Sequence, residues 1–208
     1  MRYALAPIVA AEDFPVTLAE VKSYLRLEEA QGDENAILEA FVKSAQSYLD
    51  GPNGVMGHAL TTQTWDFILD AFPWDDYIPL PLPPLQSVAS IKYVDTDGVE
   101  TTLAASEYSV DTESKPGRVI LKHGKSWPTV SLNPMNPIKV RFVAGYNAAL
   151  AEKRMPGTLK AAFFLLVAHS YENRAVVTVE TAGQAREIPF AITSLLWPLR
   201  FFFIWDGQ

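Results

Sequence analysis

The residues best suited to chemistry lie together in FFLLVAHSYENR, Phe163 to Arg174, where an apolar run meets His169, Ser170, Tyr171 and Glu172. An imidazole, a hydroxyl and a carboxylate are the ingredients of a hydrolase's acid–base relay. Spacing argues against that use. On a helix, neighbours i and i+1 diverge by about 100°, so His169 does not easily reach Ser170 to take its proton. No G-x-S-x-G elbow occurs to present a serine on a sharp turn. The simpler expectation is a helix end, with His169 and Arg174 complementing the dipole and Glu172 facing water.

Other candidates fail on spacing. GRVILKHGKS ends in the letters of a phosphate loop, but six residues separate Gly117 from Gly124 where four are needed, and Trp127-Pro128 stands where a helix should begin. DTDG, Asp95 to Gly98, resembles part of a calcium loop. Tyr93 and Ala104 would occupy its first and last ligand positions, so a turn explains it better. His58, His123 and His169 lack metal-ligand spacing, and with no cysteine there is neither a thiolate site nor a disulfide framework. No catalytic residue, cofactor or metal is therefore expected. Pro81-x-x-Pro84 matches a peptide-recognition pattern only weakly; Leu80, Leu82 and Leu85 are expected to pack against a sheet.

The elements that position these residues fall into three segments. In 1–57, PVTLAEVKSYLRL carries a capping box, Thr17 with Glu20, and a hydrophobic staple, Val16 with Val21. A second helix is expected from an N-cap at Asp33, with Ile37, Leu38, Phe41, Val42, Ala45, Tyr48 and Leu49 as one stripe, stopped by Gly51-Pro52. In 58–146, runs such as TTQTWDFIL, SVASIKYV, EYSV, GRVILK and IKVRFVAGY predict strands, with Asp97-Gly98 and Pro116-Gly117 as hairpin punctuation. Most of the fifteen prolines lie here, and IPLPLPPL reads as edge or extended chain. In 147–208, Pro156 suits a first helical turn, and residues Ala161 to Val167 are apolar nearly all round, as in a central core helix. VVTVETAGQARE reads as a loop, and a short helix is expected from Ile188 or Pro189 to Trp197. The fold class is thus α+β, about four core helices around an inserted antiparallel β-rich module.

The 208 residues, 49% apolar and 20% charged, suffice for one large domain or a core with an insertion. No apolar run approaches a membrane span, and no signal pattern or N-x-S/T sequon occurs, so a soluble cytoplasmic protein is the default expectation. The net charge of −7 is uneven: residues 1–50 carry nine acids against four bases, residues 151–208 five against six. Without clustered Lys and Arg, nucleic-acid binding is disfavoured.

The order TLAEVKSYLRLE…DENAILEAFVKSAQSYLDG, LTTQTWDFILDAFP…IPLPLPPLQSVASIKYVDTDG and RFVAGY…LKAAFFLLVAHSYENRA resembles the head–tail connector (adaptor) family of tailed phages and gene transfer agents, from about Phe14 to Arg200. The resemblance implies a structural protein. Copies, a dodecamer by expectation, would form a ring below the portal, extend the DNA channel and dock the next neck (stopper) or tail protein. DNA would pass without sequence-specific contact. The protein would reside at the head–tail interface of a particle, and in host cytoplasm during assembly. Two other classes compete: a hydrolase using His169, and a monomeric peptide-binding module using its proline-rich edge.

The end departs from the family's expected polar finish. After Pro198 come Phe201, Phe202, Phe203, Ile204 and Trp205, five consecutive large apolar residues that cannot all face one core. They are expected to dock on a neighbouring subunit or the portal, and to be mobile in the free protein.

Overall fold

A computed structural model describes residues 3–11, 13–27, 33–150, 153–173 and 190–205. A strand, β1 (Tyr3–Val9), precedes helices α1 (Leu18–Leu25) and α2 (Asp33–Leu49). Seven strands follow: β2 (Gln63–Leu69), β3 (Tyr77–Pro79), β4 (Leu85–Val94), β5 (Glu100–Thr102), β6 (Tyr108–Asp111), β7 (Arg118–Leu121) and β8 (Ile138–Ala144). Helices α3 (Gly157–Glu172) and α4 (Phe190–Leu196) and a 3-10 turn, Trp197–Leu199, complete the described elements. The class is α+β, as the sequence patterns require.

Local chemistry sets the helices. Thr17 Oγ1 accepts from Glu20 N at 3.2 Å while Glu20 Oε2 accepts from Thr17 N at 2.9 Å, so two otherwise orphaned donors are satisfied and α1 starts there. Val16 and Val21 are both buried beside this cap. On α2 the buried seam is narrower than the expected stripe: Leu38, Val42, Ala45 and Leu49 are enclosed, whereas Ile37 and Tyr48 stay exposed. A seam at i, i+4, i+7 and i+11 is what one packed neighbour covers, and the flanking positions turn out to solvent. That neighbour is α3, which touches α1, α2 and α4 and buries Leu159, Ala162, Phe163, Leu166 and Val167. Its apolar circumference is used as expected of a central helix. Pro156 sits one residue before α3 rather than inside its first turn.

The strands form two antiparallel sheets, β1-β2-β8-β4-β5 and β3-β7-β6. Period-two alternation turns Trp65, Phe67 and Leu69 of β2, and Ile138, Val140, Phe142 and Ala144 of β8, toward Ile78, Val119 and Leu121 of the smaller sheet. On the opposite face of the larger sheet, Arg141 lies in register with Asp66 and donates to both its oxygens at 2.8 Å. The IPLPLPPL run starts as β3, an edge strand, and then bends rather than staying extended, with Leu82 at φ 59° and a cis bond between Pro83 and Pro84; Leu80, Leu82 and Leu85 all enter the sandwich core. Asp95 Oδ1 accepts from Asp97 N and Val99 N, closing the β4–β5 hairpin, so DTDG is a turn.

One element of residues 1–57 went unanticipated: β1 crosses to the sheet and pairs with β2 from Tyr3↔Leu69 onward. The two cores, helical and β, meet at Met56–Leu60, where Met56 and Leu60 enter the helical cluster and Ala59 the strand cluster. Gly145 (φ 119°) closes β8 where a Cβ would lie 1.9 Å from the Thr61 carbonyl oxygen; only glycine fits.

Candidate docking surface

After the 3-10 turn, Arg200 adopts extended backbone (φ −65°, ψ 138°), and Phe201 N donates to the Met56 carbonyl at 2.9 Å. An extended chain sends successive side chains to opposite sides. The five apolar residues accordingly divide. Phe203 meets Phe67 edge-on at 5.8 Å and Tyr3 at 5.5 Å, and Trp205 lies 5.8 Å from Phe67. Phe201 points its edge at His58, 6.1 Å away. Phe202 (62% exposed) and Ile204 (88%) project outward.

Two details hold the tail in that position. Gly57 has φ 64°, and a Cβ there would sit 2.1 Å from the Phe201 carbonyl oxygen, so the close approach requires glycine. Arg200 Nε donates to the Val55 carbonyl at 2.9 Å, while its guanidinium lies 5.3 Å from the Trp197 ring and 4.8 Å from Phe202. The outward surface is therefore Trp197, Phe202 and Ile204 around one arginine, beside a groove of about 460 Å³ that Tyr3, Pro52 and Leu82 help to line.

Beneath the tail, His58 is 5% exposed and stacks on Tyr146 with rings 6.0 Å apart; the Tyr146 hydroxyl lies 3.2 Å from His58 Nδ1. Burial, aided by the Lys115 charge, lowers the His58 pKa to about 4. Burial likewise raises Tyr146 to about 12. Nearby, Asp50 accepts from Leu60 N at 2.8 Å and Gln63 Nε2 at 2.7 Å, and burial still raises its pKa. A neutral imidazole closed in by Phe201 and Tyr146 serves as a joint between the β module and the tail. Nothing in the sequence marks His58 for this, because its partners lie far along the chain.

The opening candidates are not brought together. Ser170 Oγ donates to the Leu166 carbonyl at 3.1 Å, one turn back on α3, and so does not meet His169. Asn173 Nδ2 contacts His169 Nδ1 at 3.1 Å and donates to the His169 carbonyl at 2.7 Å, closing the helix end. Tyr171 reaches across to Glu34 at 2.7 Å, tying α3 to α2. Arg174, the loop VVTVETAGQARE and the expected helix starts at Ile188 or Pro189 lie outside the described residues. His58 and Tyr146 aside, the three histidines share no cluster, and among the described residues no three metal-ligating side chains converge.

No family model and no curated protein matches the chain. Solved structures do. A chain in the neck of an empty gene transfer agent (GTA) particle, computed with C6 symmetry, is 26% identical with a TM-score of 0.72; a chain of the native GTA virion is 26% identical with a TM-score of 0.70. A third, from the native particle's neck computed with C12 symmetry, corresponds in fold at 24% identity and a TM-score of 0.66. Each comparison covers 98% of both chains. An α+β body, a packed helix end in place of a catalytic relay and an outward apolar tail, with this end-to-end correspondence, define a structural neck component of a phage-like particle. The correspondence supports a neck adaptor protein of the phage and gene transfer agent kind, located in the neck of a virion.

Proposed function

We propose that copies of this chain close into a ring, of twelve by preference, below the portal. There the ring extends the DNA channel and docks the next neck or tail component. The observation that carries this is the full-length correspondence with chains from particle necks computed with C6 and C12 symmetry. A cyclic assembly needs two different patches per subunit, one meeting the other on the next copy. The tail surface of Phe202, Ile204 and Trp197 supplies one such patch, aimed at a neighbouring subunit or the portal. In this division of labour residues 1–57 and 147–208 build the helical body and docking tail, apart from β1, which joins the sheets formed by residues 58–146.

The role is mechanical rather than catalytic: His169 and Ser170 are each engaged with their own helix. A net charge of −7 suits a channel through which DNA slides, since phosphates find no clustered cations to displace their counterions. Imaging of purified particles tests the assignment. A ring of this chain between portal and tail is expected, and its absence from particles overturns the proposal. Purified chain should associate with portal assemblies while binding DNA weakly; steeply salt-dependent micromolar DNA binding without portal association would also defeat it.

A further inference from the structure

Between β2 and β3 the chain runs FPWDDY, and its Trp74 is 90% exposed. An indole costs free energy when left in water, and large aromatics at a surface usually lie partly on their own protein. Here the loop on either side is fixed. Phe72 stacks on Trp127 with rings 5.2 Å apart and 9° from parallel, and meets Tyr93 at 5.9 Å. Pro73 is buried. Trp127 Nε1 donates to the Asp75 carbonyl at 2.8 Å, and Leu121 N donates to the Asp76 carbonyl at 2.8 Å. Trp74 is therefore held out by an ordered loop whose neighbours are pinned to the β core.

The loop's charge names the partner's chemistry. Asp70, Asp75 and Asp76 are all exposed, and none is ion-paired among the described residues. Arg118, which lies over the Tyr77 ring at 5.8 Å, is already bound to Asp111. A surface that receives this loop must offer an apolar slot for the indole and Lys or Arg at its rim. Among the described residues, the main grooves of this chain do not combine the two. The groove beside the tail holds only Arg200, already engaged by the Val55 carbonyl. The groove between α1, α3 and α4 is lined by Glu172 as well as Arg26, and the one between β1 and α2 by Asp50 as well as Lys43.

We propose that the Phe72–Tyr77 loop docks a different neck or tail protein, with Trp74 inserted in an apolar pocket whose rim is cationic. This rests on the neck reading and adds a second docking surface, separate from the apolar tail. Preorganisation supports it, because the loop has little entropy left to lose on binding.

The test uses the full chain carrying Trp74→Ala, and separately Asp75→Asn with Asp76→Asn, both in producing cells and as purified protein. Because Trp74 touches little of its own chain, thermal unfolding should stay within about 1 °C of the parent. Self-association of purified chain, read by sedimentation, should be unchanged. In particles the ring should remain, while occupancy of the component adjoining the loop falls about 30-fold or more for Trp74→Ala. The asparagine pair should weaken that occupancy more at low salt than at high salt. Normal occupancy in the Trp74→Ala particles would overturn the proposal. So would loss of self-association by a folded Trp74→Ala protein, which would make the loop a contact between copies. Absence of the unaltered chain from particles is a separate result; it removes the neck reading and this proposal together.

Discussion

At the scale of single residues, His58 ties the fold's stability to pH. Its folded pKa of about 4 lies below the ordinary 6.5, so between those values the unfolded chain binds more protons than the folded one. The penalty is absent above pH 6.5, grows as pH falls, and is complete below about pH 4. A gap of that size corresponds to about 3 kcal/mol. Urea unfolding at pH 7 and pH 4 should show this loss in the parent, and His58→Gln should lose far less over the same interval. Asp50 titrates in the opposite sense, because burial raises its carboxyl; it is present in both proteins and cancels in the difference. The opposite expectation holds for His169 and Ser170. Replacing both by alanine removes only helix-end contacts and should cost about 0.5–2 kcal/mol, read as a small drop in the unfolding midpoint. Loss of a reproducible hydrolytic activity by a normally stable double variant would contradict the mechanical role.

At the scale of elements, the tail is an extended segment laid across β1 and β2, and its seat depends on Gly57. Gly57→Ala places a methyl group 2.1 Å from the Phe201 carbonyl oxygen and adds the cost of a positive φ. The turn itself is shared with the parent fold, so the tail should give way first. Limited proteolysis is expected to cut near Arg200 faster in Gly57→Ala than in the parent, with about 1–3 kcal/mol lost overall. Equal cutting rates would show that Gly57 does not seat the tail. The docking expectation is also refined at this scale. Mobility along the whole tail is not required for docking, because alternation alone leaves Phe202 and Ile204 outside while Phe201, Phe203 and Trp205 hold the segment in place.

At the scale of the whole molecule, the proposed docking role of those outward residues predicts that folding and assembly can be separated. Changing Phe202 and Ile204 together to serine removes exposed apolar surface and should move stability by no more than about 0.5 kcal/mol. Incorporation into particles should nevertheless fall sharply, since a ring multiplies each small contact through its neighbours. Truncation after Arg200 should also block incorporation but lower the unfolding midpoint, because Phe203 and Trp205 no longer pack against the sandwich core. Comparing the two separates docking from packing; normal incorporation of the serine pair would place the docking surface elsewhere.

What the sequence determined by itself was local in origin. The capping box at Thr17, the helix period of α2 and α3, the hairpin at Asp95–Gly98 and the edge character of IPLPLPPL follow from interactions within a few residues. So does the failure of His169 to serve Ser170, since helix geometry alone separates them. The order of such segments along the chain was enough to suggest the connector family. What only the tertiary structure decided depends on partners distant in sequence. Strand β1 has no strong alternation and becomes a strand because β2 offers an edge. Ile37 and Tyr48 belong to an apolar stripe yet stay outside, because α3 covers only the seam beside it. Gly57 and His58 acquire meaning when Phe201 arrives against them from the other end of the chain. Trp74 carries no local signal of exposure; the stacking of Phe72 on Trp127 and the capture of the Asp75 carbonyl leave its indole in water.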